Sequence, residues 1–108
     1  MTKEEFRKLT ENILLLDGAT GSNLMASGMP RGICTETWVI EHKDVIQDLQ
    51  KSYIQAGSQV IYAPTFGGNR INLMKHDLAD HIEEINRTLV GYSKELAGNG
   101  VYVAGDIT

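Results

Sequence analysis

The run Ile13-Leu14-Leu15-Leu16 leads straight into Asp17-Gly18-Ala19-Thr20-Gly21-Ser22, and no other stretch narrows the possible folds as far. Consecutive aliphatic residues with no polar residue between them suit a strand buried on both faces, as in a parallel sheet. A half-exposed strand would alternate apolar with polar. Gly18 and Gly21 allow a tight turn and close approach of the backbone to a ligand, and Asp17 fixes a negative charge at the strand's carboxyl end. That end is where α/β proteins bind their ligands.

The rest of the chain repeats the theme. Residues 2–11 form a short lead-in helix, with Thr2 as N-cap and Glu5 at capping-box spacing, and Phe6 and Leu9 turned toward the body of the fold. Residues 13–17 are the first strand. After its turn comes a short helical segment over 23–25, and then a loop over 28–35 rich in turn formers (Gly28, Pro30, Gly32). Residues 44–56 place Val45, Leu49, Tyr53 and Ala56 on one stripe of an amphipathic helix that Gly57 ends. Residues 59–63 are a second strand, closed by Pro64 and followed by the glycine-rich exit Thr65-Phe66-Gly67-Gly68-Asn69. A short helix over 71–74 precedes the most regular segment, 78–96. There Leu78, Ile82, Ile85, Leu89, Tyr92 and Leu96 step by three and four residues, predicting a helix packed along its length. Residues 101–104 are a third strand running into Gly105-Asp106.

The pattern is α/β, with connections long enough for the right-handed crossovers that parallel strands need. Its 108 residues, 42% hydrophobic and 22% charged, have an ordinary globular composition and make one domain or a piece of one. Three parallel strands do not close a barrel, and as an open sheet they leave both edges unpaired. The sequence is therefore expected to be the opening of a longer fold, or to complete its contacts through a partner. A net charge of −4 without a basic run gives no footprint for nucleic acid or an anionic membrane. No apolar run is long enough to cross a bilayer, and the charged amino terminus does not resemble a signal peptide. The single cysteine, Cys34, allows no internal disulfide and agrees with a reducing cytoplasmic setting.

Asp17, Thr65 and Asp106 each stand where one of three successive strands ends, so a parallel arrangement brings them to one rim. Asp-Gly and Gly-Asp are also common turn material, so each acid has a purely local reading as well. A strand followed by glycines and a helix start could receive an anion. The chain lacks the Gly-x-Gly-x-x-Gly and Gly-Lys-Ser/Thr patterns, however, and Asp17 would repel phosphate, so an anion- or nucleotide-binding module is a weaker alternative. A second alternative is a non-catalytic half-barrel that assembles through its open sheet edges. Trp38, Tyr53 and Tyr92 read as packing residues, and Cys34 as a small loop or core residue. Arg70 could hold an anionic group or stand free in solvent. Glu36 could be a helix-start charge or could reach the rim.

Taken together, Leu16-Asp17-Gly18-Ala19-Thr20-Gly21-Ser22, Glu36 ahead of Trp38, Tyr53-Ile54-Gln55-Ala56-Gly57-Ser58, Thr65-Phe66-Gly67-Gly68-Asn69-Arg70 and Gly105-Asp106-Ile107 resemble the opening of the homocysteine S-methyltransferase domain. Cobalamin-dependent methionine synthase and betaine-homocysteine methyltransferase share that domain. The resemblance runs from about Ile13 to Thr108 and is specific in order and spacing. It implies the first three β/α units of a (β/α)8 TIM barrel and transfer of a methyl group to homocysteine to form methionine. It also implies a zinc ion on three cysteines that deprotonates the homocysteine thiol, whose free pKa is ~8.5. Cobalamin and methyltetrahydrofolate are possible in a longer polypeptide.

By the same resemblance, Asp17, Gly18, Ala19 and Thr20 receive the amino acid end of homocysteine, Asp17 facing the ammonium and backbone N–H groups the carboxylate. Thr65 and Phe66 line the pocket, and Asp106 approaches from the third strand. The family's zinc cysteines come from late strands, and Cys34 matches none of them. His42, His76 and His81 lack the spacing of a metal motif. No catalytic residue and no metal ligand is therefore expected in this segment, and the chain alone is expected neither to bind catalytic zinc nor to turn over substrate. Pro64 departs from the Asn that many relatives carry before the Thr-Phe pair.

Overall fold

A computed structural model describes all 108 residues, Met1–Thr108. In chain order the elements are α1 (Lys3–Leu9), α2 (Gly21–Ala26), α3 (Thr35–Glu41), α4 (Lys43–Gln55), β1 (Val60–Tyr62), α5 (Arg70–Met74), a 3-10 turn (Ala79–His81), α6 (Ile82–Ala97) and β2 (Tyr102–Ala104). The strands pair in parallel with Val60 opposite Tyr102, Ile61 opposite Val103 and Tyr62 opposite Ala104. Leu16 bridges Val60, also in parallel, so β1 lies between the first segment and β2. The Asp17 N–H donates to the Val60 carbonyl at 3.1 Å, and the Gln59 N–H to the Leu15 carbonyl at 2.8 Å.

The core lies between the helices and one face of this sheet. Ile85 and Leu89 of α6, Ile46 of α4, Val39 of α3, Leu24 of α2 and Leu73 of α5 form one buried cluster. Gly57 (φ +112°) and Gly98 (φ +59°) stop α4 and α6 in conformations that a side chain would strain. At the amino end, Thr2 and Glu5 form the expected capping box.

Four expectations need correction. Residues 13–17 do not form a full strand buried on both faces: only Leu16 pairs, Ile13 is 86% exposed and Leu16 46% exposed. The cause lies on the sheet's second face. The register puts Leu16 and Tyr102 on the same side as Val60, with Tyr62 beside them; Val60 between its neighbours is buried, but Leu16, Tyr62 and Tyr102 are exposed, whereas Ile61 on the opposite side is fully buried. The total exposed area of 7140 Å² reflects this, since a compact monomer of 11.9 kDa exposes roughly 6,000 Å². Phe6 is half-exposed and α1 buries nothing, because its capping box stabilises it locally without a packing partner. The 28–35 loop gives way to α3 from Thr35 onward, which takes Trp38 onto a helix. Finally, the face of α4 that packs most deeply is one residue on from the apolar stripe: Ile46 and Gln50 are buried, while Val45, Leu49 and Tyr53 are half-buried and Ala56 is exposed.

Candidate functional site

The carboxyl ends of the three parallel segments open into a cavity of about 550 Å³. Asp17, Gly18 and Thr20 reach it from the first segment, Tyr62, Pro64, Phe66 and Gly67 from the exit of β1, and Asp106 and Thr108 from the exit of β2. Cys34, Thr35 and Glu36 line it from the start of α3, and Asn72 and His76 from the side of α5. Its charge is one-sided: three carboxylates line it, and no lysine or arginine does. Arg70 opens α5, is exposed and lies outside this lining.

Asp17 is half-buried at the mouth of the first segment, and its Oδ2 accepts the Tyr62 N–H at 3.0 Å. Burial raises its pKa above the ordinary aspartate value of 3.8. The hydrogen bond from Tyr62 opposes that shift, and the Asp106 carboxylate adds to it. A carboxylate held this way is best served by a cationic partner. An acid whose folded pKa is raised costs stability as pH climbs from its unfolded value through its folded one. Thermal midpoints of Asp17→Asn relative to the parent chain are therefore expected to rise from pH 3.8 upward and then level off; melting curves from pH 3 to 8 that stay parallel would refute this.

The turn after Asp17 is shaped from behind. A Cβ at Gly18 would stand 3.0 Å from the Tyr53 hydroxyl and 3.1 Å from its ring, so only glycine passes there without displacing the tyrosine. The Tyr53 hydroxyl donates to the Ala19 carbonyl at 2.7 Å, as does the Asn23 side-chain amide at 2.8 Å. Ala19 does not line the cavity, although Gly18 and Thr20 on either side of it do. Tyr53 thus packs, as its helical stripe suggests, and also sets the backbone at the rim.

The β1 exit loop is held at every residue. Thr65 is buried rather than lining the cavity; its hydroxyl donates to the Asp106 carbonyl at 2.9 Å and accepts the Asp106 N–H at 3.1 Å, fastening the two strand exits together. The Thr108 hydroxyl donates to the Phe66 carbonyl at 2.8 Å, which leaves the Phe66 ring 65% exposed at the cavity. Glu36 Oε1 accepts the Gly67 N–H at 2.9 Å, the Asn72 side-chain amide donates to the Gly67 carbonyl at 2.8 Å, and that of Asn86 donates to the Gly68 carbonyl at 2.7 Å.

Glu36, only 3% exposed, is the functional candidate that the sequence left undecided, and Asn72 is one it gave no sign of. An acid in the first turn of a helix reads as a surface charge, and only the return of the 65–69 loop across α3 makes Glu36 an interior acceptor. Cys34 is buried beside it and donates its thiol proton to Glu36 Oε2 at 3.5 Å. Trp38 stacks on His42 with ring centroids 3.9 Å apart, a packing role outside the cavity. Tyr92 donates to the Ile40 carbonyl at 3.1 Å and joins the core from α6.

The residues present do not fit a three-cysteine zinc centre. The chain has one cysteine, and no three His, Cys, Asp or Glu side chains converge in a way that could hold a metal ion. Nor is any helix long and apolar enough to cross a membrane.

The sequence profile of the homocysteine S-methyltransferase family matches residues 14–108. The chain is 28% identical over 95 residues to a methionine synthase of Mycobacterium tuberculosis, covering 82% of this chain and 8% of that protein. It is 32% identical over 77 residues to the S-methylmethionine–homocysteine S-methyltransferase BHMT2 of Pongo abelii, covering 70% of this chain and 20% of that one. Its fold superimposes on the metallated homocysteine methyltransferase MmuM of Escherichia coli with a TM-score of 0.76 at 21% identity, over 94% of this chain and 40% of the solved one. The chain thus spans well under half the length of each of these relatives.

Proposed function

Because the chain belongs to the homocysteine S-methyltransferase family, we propose that its cavity receives the amino acid end of homocysteine in an enzyme that methylates the homocysteine sulfur to form methionine. We further propose that residues 1–108 constitute the opening β/α units of a (β/α)8 barrel, whose active-site rim is the face where these strands end. The observation that carries this reading is the meeting of Asp17 and Asp106, from the first and third parallel segments, at one cavity on that face.

In this reading Asp17 pairs with the substrate ammonium, which relieves the cost of its burial and its repulsion from Asp106. The backbone N–H groups of Gly18, Thr20 and Gly21 face the substrate carboxylate, and Ala19 acts by holding that turn on Tyr53. The exposed ring of Phe66 covers the methylene chain, and Thr65 positions Asp106. These residues bind and orient; no proton transfer or metal step is assigned to them, since the donor set for zinc is not in this chain.

The test is ¹H–¹⁵N NMR of the chain with millimolar L-homocysteine under reducing conditions. Shifts are expected at Gly18, Thr20, Gly21 and Gly67, with affinity at least tenfold weaker in Asp17→Asn, about 1.4 kcal/mol for a lost charge-assisted contact. Shifts that map elsewhere, or that survive Asp17→Asn unchanged, overturn the reading.

A further inference from the structure

We infer that Glu36, working with Asn72, is a positioning residue of this site: the two hold the backbone N–H and the carbonyl of Gly67 and so set the Phe66–Gly67 wall of the cavity. The inference rests on the cavity's being the homocysteine site and goes beyond it by assigning a role to a side chain that touches the wall rather than the reacting sulfur.

A residue other than proline carries one backbone donor and one backbone acceptor, and a loop residue ordinarily gives both to water. At Gly67 the N–H goes to Glu36 Oε1 at 2.9 Å, while the carbonyl accepts the Asn72 side-chain amide at 2.8 Å. Glu36 is 3% exposed, so its hydrogen bond is shielded from competing solvent. Its two carboxyl oxygens serve two donors here, Oε1 the Gly67 N–H and Oε2 the Cys34 thiol. Fit follows the same logic. A Cβ on Gly67 would fall 2.5 Å from Glu36 Oε1 and 2.7 Å from the Asn72 amide nitrogen, so the clamp closes on a residue without a side chain. Neither clamp residue belongs to the β1 exit. Glu36 comes from α3 and Asn72 from α5, so the wall is fixed from outside by two helices anchored in the core through Val39 and Leu73. Phe66, next along, has its carbonyl held by Thr108, so the backbone from which its exposed ring projects is fixed on both sides.

The test uses the ¹⁵N-labelled chain, with the Gly67 amide as reporter and L-homocysteine as ligand. Glu36→Gln keeps an acceptor oxygen for the Gly67 N–H, whereas Glu36→Ala removes it. Glu36→Ala is expected to move the Gly67 amide resonance upfield, speed its hydrogen exchange at least tenfold and raise the homocysteine Kd at least tenfold, while Glu36→Gln stays within about threefold of the parent on both counts. Asn72→Ala keeps the measurement informative should Glu36→Ala not fold, with an expected three- to tenfold rise in Kd and the Gly67 amide still protected by Glu36. The inference is overturned if Glu36→Ala, or Asn72→Ala in its place, binds homocysteine as the parent does. It is also overturned if Glu36→Gln loses as much affinity as Glu36→Ala, since the negative charge would then act on the ligand directly. A parent chain that fails to bind homocysteine, by contrast, overturns the assignment of the cavity itself, and this role with it.

Discussion

Gln50→Ala is expected to cost about 3 kcal/mol of stability, a fall of roughly 12–24 °C in thermal midpoint for a chain of this size. Gln50 is 2% exposed in the middle of α4, and its amide does two jobs. Its Nε2 donates to the Tyr62 carbonyl at 3.0 Å, and its Oε1 accepts the hydroxyl of the fully buried Ser93 at 3.0 Å. One side chain thus joins α4, α6 and the end of β1. Truncation strands the fully buried Ser93 hydroxyl away from water at the desolvation cost of an unpaired group, removes the bond to the Tyr62 carbonyl, and leaves a void where the buried Gln50 side chain stood. Tyr62 is also the residue whose N–H holds Asp17, so the loss reaches the site as well as the core. Chemical denaturation checks the size of the effect. The mechanism is checked by the pair with Ser93→Ala: if the buried network is the cause, the double variant is more stable than the sum of the single costs predicts. Strict additivity, or a fall under 1 kcal/mol for Gln50→Ala, would show that the network carries little.

Gln50 also marks where the sequence stops being legible. Periodicity found α4 and α6 within about a turn, because Leu49 with Val45, and Leu89 with Ile85, recur at helical spacing and lie on or beside the packed face. Apolar runs closed by Pro64 and by Gly105 found β1 and β2, and the Thr2–Glu5 spacing found a capping box that is present. Periodicity weighs a residue by type, however, so a buried glutamine paired with a buried serine reads as surface, and the face that packs in α4 slipped by one residue. Glu36 escaped for the same reason: what makes it structural is a partner far along the chain, 31 residues away at Gly67. Asn72 has its partner only five residues back at Gly67, but in an irregular glycine loop that no periodicity describes. The apolar run at 13–16 erred in the other direction. Its composition states a need for cover on both faces, but whether cover exists depends on what lies against the sheet's second side. For the rim, the ends of parallel strands located Asp17 and Asp106 at the cavity, while a strand's alternating sides, which turn Thr65 inward, were not resolved at that level.

Gly67→Ala is expected to destabilise the chain by about 2–3 kcal/mol and to release the cavity wall with it. The position does not demand glycine for its backbone, since Gly67 is not among the residues with positive φ; it demands glycine for space. The new methyl would stand 2.5 Å from Glu36 Oε1 and 2.7 Å from the Asn72 amide nitrogen, both far inside contact distance. Flexible ends of exposed side chains would swing aside at little cost. These two are the partners of Gly67's own N–H and carbonyl, and Glu36 is buried, so moving them breaks both hydrogen bonds and leaves a carboxylate oxygen unpaired in the interior. If the clash with Glu36 is the cause, Gly67→Ala combined with Glu36→Ala costs clearly less than the two separate losses together, because the first substitution has already broken the contact that the second removes. Glu36→Ala alone would remain costly, having stranded the Gly67 N–H without making room for anything. Calorimetric midpoints for the four chains of this cycle decide the matter. A Gly67→Ala chain as stable as its parent would mean that the wall yields freely, and the cavity would then lack the fixed side on which Phe66 is held.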